Sequence, residues 1–319
     1  MDVVILAGGY GTRMWPISSN LPKMLFSLGE ETVLDSLLRP ICSDERVETV
    51  YLSTNSRFVP QFESHLSETE YEDVRVSVEE TRSNEEKLGA VGGLGGILDR
   101  ESHTGELVVL AGDNVFGFDF GSFLDAFETS DGPMLAVHDV GTTERARNYG
   151  VVELSANTVV DLVEKPAEPE TTLVSVGCYG FTSSIREQLH TYLESDSRAD
   201  DFGSFVRWLV ARETVTAFRF DEPWFDVGSP ESYREALAWS LDGQSFVAES
   251  ASVTDAELGD NTVVCERATV EGSRLMETVV LPGGTVRNSE LRRSVVAPES
   301  AIDDKALSFA LIGYRNSDT

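Results

Sequence analysis

The chain has 319 residues, with 55 Asp plus Glu against 25 Lys plus Arg and a formal net charge of −30. That balance leaves no basic footprint and excludes a nucleic-acid binder working through bulk charge. Apolar residues make up 41% and charged residues 25%, the proportions of a folding globular chain and not of a disordered acidic tail.

The acids are scattered along the chain, and only four cations are lysines: Lys23, Lys87, Lys165 and Lys305. An acidic surface from which Lys has largely been removed suggests a protein that works in concentrated salt, where screening shortens repulsion; a merely acidic protein is the alternative. The length allows two domains. No apolar run approaches a membrane span, and the start Met1-Asp2-Val3-Val4-Ile5-Leu6 lacks a basic leader, so a cytoplasmic protein without a membrane partner is expected. Cys42, Cys178 and Cys265 are odd in number and far apart, which argues for reduced thiols and against a zinc site.

From residue 1 to about 240, short apolar runs alternate with amphipathic stretches. Val3–Leu6 reads as a buried strand, Thr32–Cys42 as a helix, Glu48–Leu52 as a strand and Arg57–Leu66 as a helix. Val74–Val78, Leu88–Leu98 and Leu107–Leu110 continue as strand, helix and strand. This alternation predicts an α/β, Rossmann-like domain with a mostly parallel mixed sheet whose ligands sit beyond the carboxyl ends of its strands. Beyond Asp131 the runs at Met134–His138, Gly150–Glu153, Val159–Val163 and Val174–Thr182 read as strands for a second substrate. Helical patterns follow at Ser183–Leu193 and Ser204–Arg212.

From about residue 245 the texture changes. Val263-Val264 then Val270, Val279-Val280 then Val286, and Val295-Val296 then Ile302 recur at an offset of 16, with the apolar residues of each copy six apart. A fixed period of single apolar residues among Gly, Ser, Thr and acids predicts a solenoid, here a short left-handed β-helix of hexapeptide type. An antiparallel sandwich is the alternative. The expected domains are therefore 1–240, a β-helix over 245–304, and a tail over 305–319 that caps the last coil.

The strongest chemical signal is Leu6-Ala7-Gly8-Gly9-Tyr10-Gly11-Thr12-Arg13, placed directly after the first strand. Its glycines let backbone N–H groups approach an anion, and Arg13 offers a bidentate fork. A P-loop would end in Gly-Lys-Ser/Thr, and a dinucleotide fingerprint would need a third Gly where Met14 stands; both fail. Ten residues on, Lys23 supplies a compact ammonium suited to a triphosphate. Asp113 in Leu110-Ala111-Gly112-Asp113-Asn114 ends a strand, and Asp226 lies in a similar context. A phosphate-bound Mg²⁺ takes one or two such carboxylates. Glu164-Lys165-Pro166 closes a hairpin-like unit begun at Tyr149-Gly150, and Pro166 is expected to hold Lys165 extended.

With these residues in place, positions 1 to about 240 resemble the sugar-1-phosphate nucleotidylyltransferase family. The matching motifs run in order: Leu-Ala-Gly-Gly-x-Gly-Thr-Arg-x-Trp-Pro at 6–16, Pro-Lys at 22–23, Leu-Gly-x-x-Gly at 88–92 and Gly-Asp-Asn at 112–114. Tyr-Gly-Val-Val-Glu at 149–153, Glu-Lys-Pro at 164–166 and Trp-x-Asp-Val-Gly at 224–228 complete the series. Many members also carry a hexapeptide β-helix.

The resemblance implies in-line attack of a sugar-1-phosphate oxygen on the α-phosphorus of an NTP, giving an NDP-sugar and pyrophosphate. Catalysis is then positioning plus charge stabilisation. It assigns Arg13 to the pyrophosphate, Lys23 to the reacting phosphates, and Asp113 with Asp226 to Mg²⁺. Lys165 goes to the sugar phosphate and Glu164 to sugar hydroxyls, with Gly150 and Gly177 lining the sugar pocket. Leu6, Ala7, Gly8, Gly9, Gly11, Thr12 and Gly89 cradle the nucleotide. Glucose-1-phosphate with UTP or dTTP is the expected pair, with mannose-1-phosphate guanylyl transfer as the alternative. Ala90 stands where thymidylyl members carry a base-reading Gln, and Ser175-Val176-Gly177 replaces the usual Asn-Ala-Gly.

The sequence leaves room for two other functions. Hexapeptide acyltransferases rely on a His base, and all four His (65, 103, 138 and 190) precede residue 245. The β-helix is therefore expected to be structural or a homo-oligomer contact. A regulatory or scaffolding paralogue would have lost Arg13, Lys23, Asp113, Lys165 or Asp226, and all five are present.

Overall fold

The computed structural model describes residues 1–71, 73–79, 89–195 and 199–313. Leu88, at the start of one expected helix and of the 88–92 motif, lies outside the described residues, as does Lys87. In chain order the elements are β1 (Asp2–Leu6), α1 (Val33–Cys42), β2 (Thr49–Asn55), α2 (Val59–Ser67), β3 (Val74–Glu79), α3 (Gly89–Arg100) and β4 (Leu107–Ala111). Then come β5 (Asn114–Phe116), α4 (Phe120–Glu128), β6 (Met134–Asp139), α5 (Thr143–Ala146), β7 (Gly150–Ser155), β8 (Thr158–Glu164) and β9 (Leu173–Phe181). The series closes with α6 (Ile185–Leu193), α7 (Phe202–Val210), β10 (Thr216–Arg219), β11 (Trp224–Asp226) and α8 (Pro230–Leu241).

Nine strands among the described residues form one sheet in the order β3-β2-β1-β4-β9-β6-β10-β8-β7. Val3, Val4 and Ile5 are wholly buried, as the continuous apolar run of a central parallel strand requires. β1 pairs in parallel with β2 on one side and β4 on the other, with Leu6 opposite Ser53 and Ala111. The chain thus turns one way from β1 and later returns to its other side, so the sheet reverses order at β1/β4. Open α/β sheets bind ligands beyond the strand ends at such a reversal. β9 runs antiparallel between β4 and β6, and the β7–β8 hairpin continues that half.

The C-terminal strands stack as three parallel sheets of a short left-handed β-helix. One sheet joins Phe246–Val247, Val263–Val264, Val279–Val280, Val295–Val296 and Leu311–Ile312. The offset of 16 read from the sequence is the strand register, with Val270 opposite Val286 and Leu275 opposite Leu291. An earlier coil precedes these copies at an offset of 17, placing Val253 opposite Val270 and Leu258 opposite Leu275. Corners carry left-handed residues at repeating positions: Asp255, Gly272, Asn288 and Asp304 all have φ between 46° and 57°. Small or Asx-type residues tolerate that conformation best. Residues 306–308 and 311–312, read as a tail, pair as strands of a further coil.

The chain divides into two compact units, Met1–Gly9 with Leu38–Trp224, and Tyr10–Leu37 with Phe225–Thr319. The nine-stranded sheet lies in the first. The second combines the signature segment after Gly9 with α8 and the β-helix.

Candidate active site

In the first unit, the loop leaving β1 is tied to the end of β2. The Ala7 N–H donates to the Ser53 carbonyl (2.7 Å), and Asn55 Nδ2 donates to the Gly8 carbonyl (3.1 Å). The loop borders a cavity of about 230 Å³ whose walls include Leu6, Gly8, Gly9, Gly89, Ala90 and Gly177, with Tyr179 and Phe202 as aromatic walls. Those two rings stack with centroids 5.0 Å apart. Burial pushes the Tyr179 phenol up, which keeps it a neutral, hydrogen-bonding group at ordinary pH. Leu6, Gly8 and Gly9 and, some 80 residues on, Gly89, all expected to cradle the nucleotide, are therefore walls of one cavity.

The same cavity holds a residue that sequence reasoning did not single out. Glu79 ends β3, is 7% exposed, and lines the cavity. Its Oε1 accepts from Ser53 Oγ at 2.8 Å. A Cβ added at Gly8 or Gly93 would come within 3.1 or 3.0 Å of that oxygen, so glycine at both positions makes room for the carboxylate. The available signal was its place at a strand's carboxyl end, where open sheets bind ligands.

Gly177 sits on β9 with φ +69°, and a Cβ there would lie 2.8 Å from the Ala111 Cβ, so only glycine fits. Asp113, half-buried, follows the end of β4. Asn114 Nδ2 donates to Asp113 Oδ1 (3.1 Å) while its Oδ1 accepts from Trp224 Nε1 (2.6 Å), so the buried indole fixes the amide that orients the carboxylate.

Gly150 and Glu164 face each other in the β7–β8 ladder. A Cβ at Gly150 or Gly203 would meet Glu164 Oε2 at 3.1 or 2.6 Å, so the carboxylate lies over a glycine floor. Lys165 Nζ pairs with Glu164 Oε1 at 3.2 Å, with the lysine side chain exposed. The extended backbone expected before Pro166 is not found: Lys165 has φ +44°. Its N–H donates to the Tyr149 carbonyl (3.0 Å), and this closure of the hairpin outweighs the pre-proline preference.

In the second unit, Gly11 (φ +59°) caps a short 3₁₀ turn Thr12–Met14, and its carbonyl accepts from Ser18 Oγ (2.7 Å). Lys23 opens another 3₁₀ turn, Lys23–Leu25, and is buried. Arg13, whose side chain is exposed, approaches Asp226 across Gly228. A Cβ on Gly228 would lie 2.8 Å from Arg13 Nη2 and 3.1 Å from Asp226 Oδ1. Arg13 and Asp226, 213 positions apart in the sequence, are thus neighbours in this unit.

Among the described residues no group of three or more His, Cys, Asp or Glu gathers into an all-protein metal cage. Asp113 in the first unit and Asp226 in the second are each a carboxylate of the kind of which a phosphate-bound Mg²⁺ takes one or two, beside phosphate oxygens and water, and that needs no such cage.

Residues 2–242 match the model of a family described as nucleotidyl transferase. The chain is 28% identical over 284 residues to a Sulfolobus acidocaldarius protein provisionally named mannose-1-phosphate guanyltransferase, over 86% of this chain and 75% of that one. It is 27% identical over 247 residues to the UTP–glucose-1-phosphate uridylyltransferase AglF of Haloferax volcanii, over 74% of this chain and 95% of that one. The chain spans about half the length of the bifunctional GlmU proteins it also matches. A solved Bacillus anthracis structure, provisionally titled glucose-1-phosphate thymidylyltransferase, superposes with a TM-score of 0.66 at 21% identity. That superposition covers 76% of this chain and 96% of the other and concerns the fold.

Proposed function

The chain belongs to the nucleotidyl transferase family and is a sugar-1-phosphate nucleotidyltransferase, and we propose that its preferred pair is GTP with mannose-1-phosphate. The observation that carries the base is Glu79. A carboxylate whose one oxygen is held by Ser53 presents acceptors to the cavity and no donor. Guanine alone among the standard bases offers two adjacent donors, N1–H and N2–H, on its pairing edge, a match for a carboxylate fork. Uracil and thymine flank a single N–H with carbonyl oxygens, which would face the carboxylate unfavourably. Adenine and cytosine place an acceptor beside their amine. The sugar follows from the Sulfolobus relative, whose name joins guanine to mannose.

Glucose-1-phosphate with UTP or dTTP is the second reading, favoured by the match to nearly the whole of AglF. Pyrophosphate release from each of five NTPs with mannose-, glucose-, galactose- and N-acetylglucosamine-1-phosphate tests both readings. The first expects GTP with mannose-1-phosphate to lead; a lead for UTP or dTTP overturns it.

In the proposed reaction the chain's residues act by position and charge. Arg13 grips the leaving pyrophosphate and Lys23 the phosphates at the reacting centre. Lys165 holds the sugar phosphate, steadied by Glu164, which also accepts from sugar hydroxyls. Asp113 and Asp226 are the carboxylates assigned to Mg²⁺, which when bound neutralises phosphate charge. Lys165→Ala is expected to raise the KM for the sugar phosphate about tenfold while leaving that for the nucleotide near wild type. An unchanged sugar-phosphate KM would remove Lys165 from the site.

The acidic surface carries its own expected outcome. A net charge of −30 destabilises the compact state by self-repulsion, and salt screens it. The exposed pairs Arg274–Glu257, Arg287–Glu271 and Arg293–Glu277 relieve only part of that excess. Lowering KCl should therefore unfold the protein before it alters nucleotide KM, as read by circular dichroism and kinetics together. Greatest stability in dilute buffer contradicts the salt reading.

A further inference from the structure

The β-helix has three outer faces, and one differs from the others. Outward positions of two sheets are polar and exposed, including Glu271, Arg287 and Arg274. In the sheet containing Val263–Val264, the inner core is built by Val264, Val280 and Val296. Successive strand residues point to opposite faces, so Val263, Val279 and Val295 point outward, and all three are buried.

The segment Tyr10–Leu37, in the same compact unit, reaches the coils beside that face, as does α8, whose Arg234 lies over the Phe309 ring. Two contacts locate the segment. The Cys265 thiol lies beside the Ser27 side chain. In the last coil, a Cβ built on Gly313 would collide with the ring carbons of Pro16. The segment is also pinned by α8: Tyr233 Oη donates to the Ser27 carbonyl (2.6 Å) and Ser240 Oγ to the Leu28 carbonyl (2.9 Å). Pro16 lies three positions after Arg13.

We propose that the β-helix is the platform that sets the position of the anion-gripping segment, and that Gly313 is a positioning residue acting through Pro16 on Arg13. The proposal rests on the reading of Arg13 as a phosphate ligand. It assigns the C-terminal coils a part in the reaction beyond any role in oligomerisation. Gly313 is not among the positive-φ glycines, so alanine there strains no backbone and acts through its contact with Pro16 alone.

The test compares Gly313→Ala with Ala306→Val, an exposed position on another sheet of the same coil, both in the full chain. Trp15, 51% exposed and next to Pro16, reports the segment directly through its emission and acrylamide quenching, after subtraction of the signal of the Trp15→Phe chain. Gly313→Ala is expected to change Trp15 quenching and lower kcat/KM for the nucleotide about a hundredfold, the scale of a misplacement near 1 Å. Its melting temperature should stay close to that of Ala306→Val, which keeps wild-type activity. If Gly313→Ala does not fold, Ala297→Val applies a push on the same buried face one coil earlier, with the same expectations. Wild-type quenching in the variant overturns the platform whatever the activity, and moved quenching with wild-type kcat/KM overturns the positioning role. Absence of nucleotidyl transfer in the wild-type chain sinks the functional reading by itself, and the quenching then decides the platform.

Discussion

Asp113→Asn is expected to lower kcat by about a thousandfold, equivalent to about 4 kcal/mol of transition-state stabilisation, with little change in melting temperature. The substitution removes one negative charge and keeps the shape. The new side chain's carbonyl oxygen can still accept from Asn114 Nδ2, and Asn114 remains held by Trp224, so the local network survives. What is lost is a full charge where, on the proposed mechanism, a hard cation is held against phosphate oxygens. The check is pyrophosphate release at saturating substrates across a magnesium titration, beside thermal unfolding. Turnover near wild type would falsify the assignment of Asp113. A large fall in melting temperature would show that the residue serves the fold.

Glu79→Gln should redirect base choice and spare the sugar. The Gln carbonyl can take over the bond from Ser53 Oγ, which leaves an amide NH₂ facing the cavity where an acceptor stood. Guanine then meets a donor with a donor, and kcat/KM for GTP is expected to fall about a hundredfold, near 3 kcal/mol for a polar mismatch in a buried site. UTP, whose carbonyl can accept from that NH₂, should gain relative to GTP, and the KM for mannose-1-phosphate should stay within about twofold. An unchanged ratio of GTP to UTP use would exclude Glu79 from base recognition.

Much of this architecture was legible because strands buried on both faces must be continuously apolar, and Val3–Leu6 and Leu107–Leu110 are. The β-helix declared itself through its period, since each coil depends on the next for its core. α4 was not legible: Phe, Gly and Ser are poor helix formers, and Phe120–Glu128 becomes helical through the packing of Phe123, Leu124 and Phe127 and through the Asp119 cap on Ser122. α8 was not read either: Ser229-Pro230 is an N-cap followed by Pro at the first position, but few of its residues are buried and its apolar period is weak.

Cations and carboxylates beside glycine turns stand out by their unusual neighbours, which is how Arg13, Lys23 and Asp113 became candidates. Glu79 could not, because one acid in a chain of 55 becomes informative only when the sheet brings β3 beside the loop after β1. The covered face of the β-helix left a trace that was readable. Val263-Val264, Val279-Val280 and Val295-Val296 are adjacent apolar pairs, and two neighbours in one strand cannot both point inward. The second valine of each pair builds the coil, and the first requires a cover.

The identity of the nucleotide sugar separates the two readings of the protein's reaction. A single competition measures it: equal concentrations of ATP, GTP, CTP, UTP and dTTP with mannose-1-phosphate and glucose-1-phosphate, Mg²⁺ and molar KCl, the products identified by mass. GDP-hexose as the main product, with mannose-1-phosphate consumed ahead of glucose-1-phosphate, is the predicted result. UDP- or dTDP-hexose as the main product would contradict it.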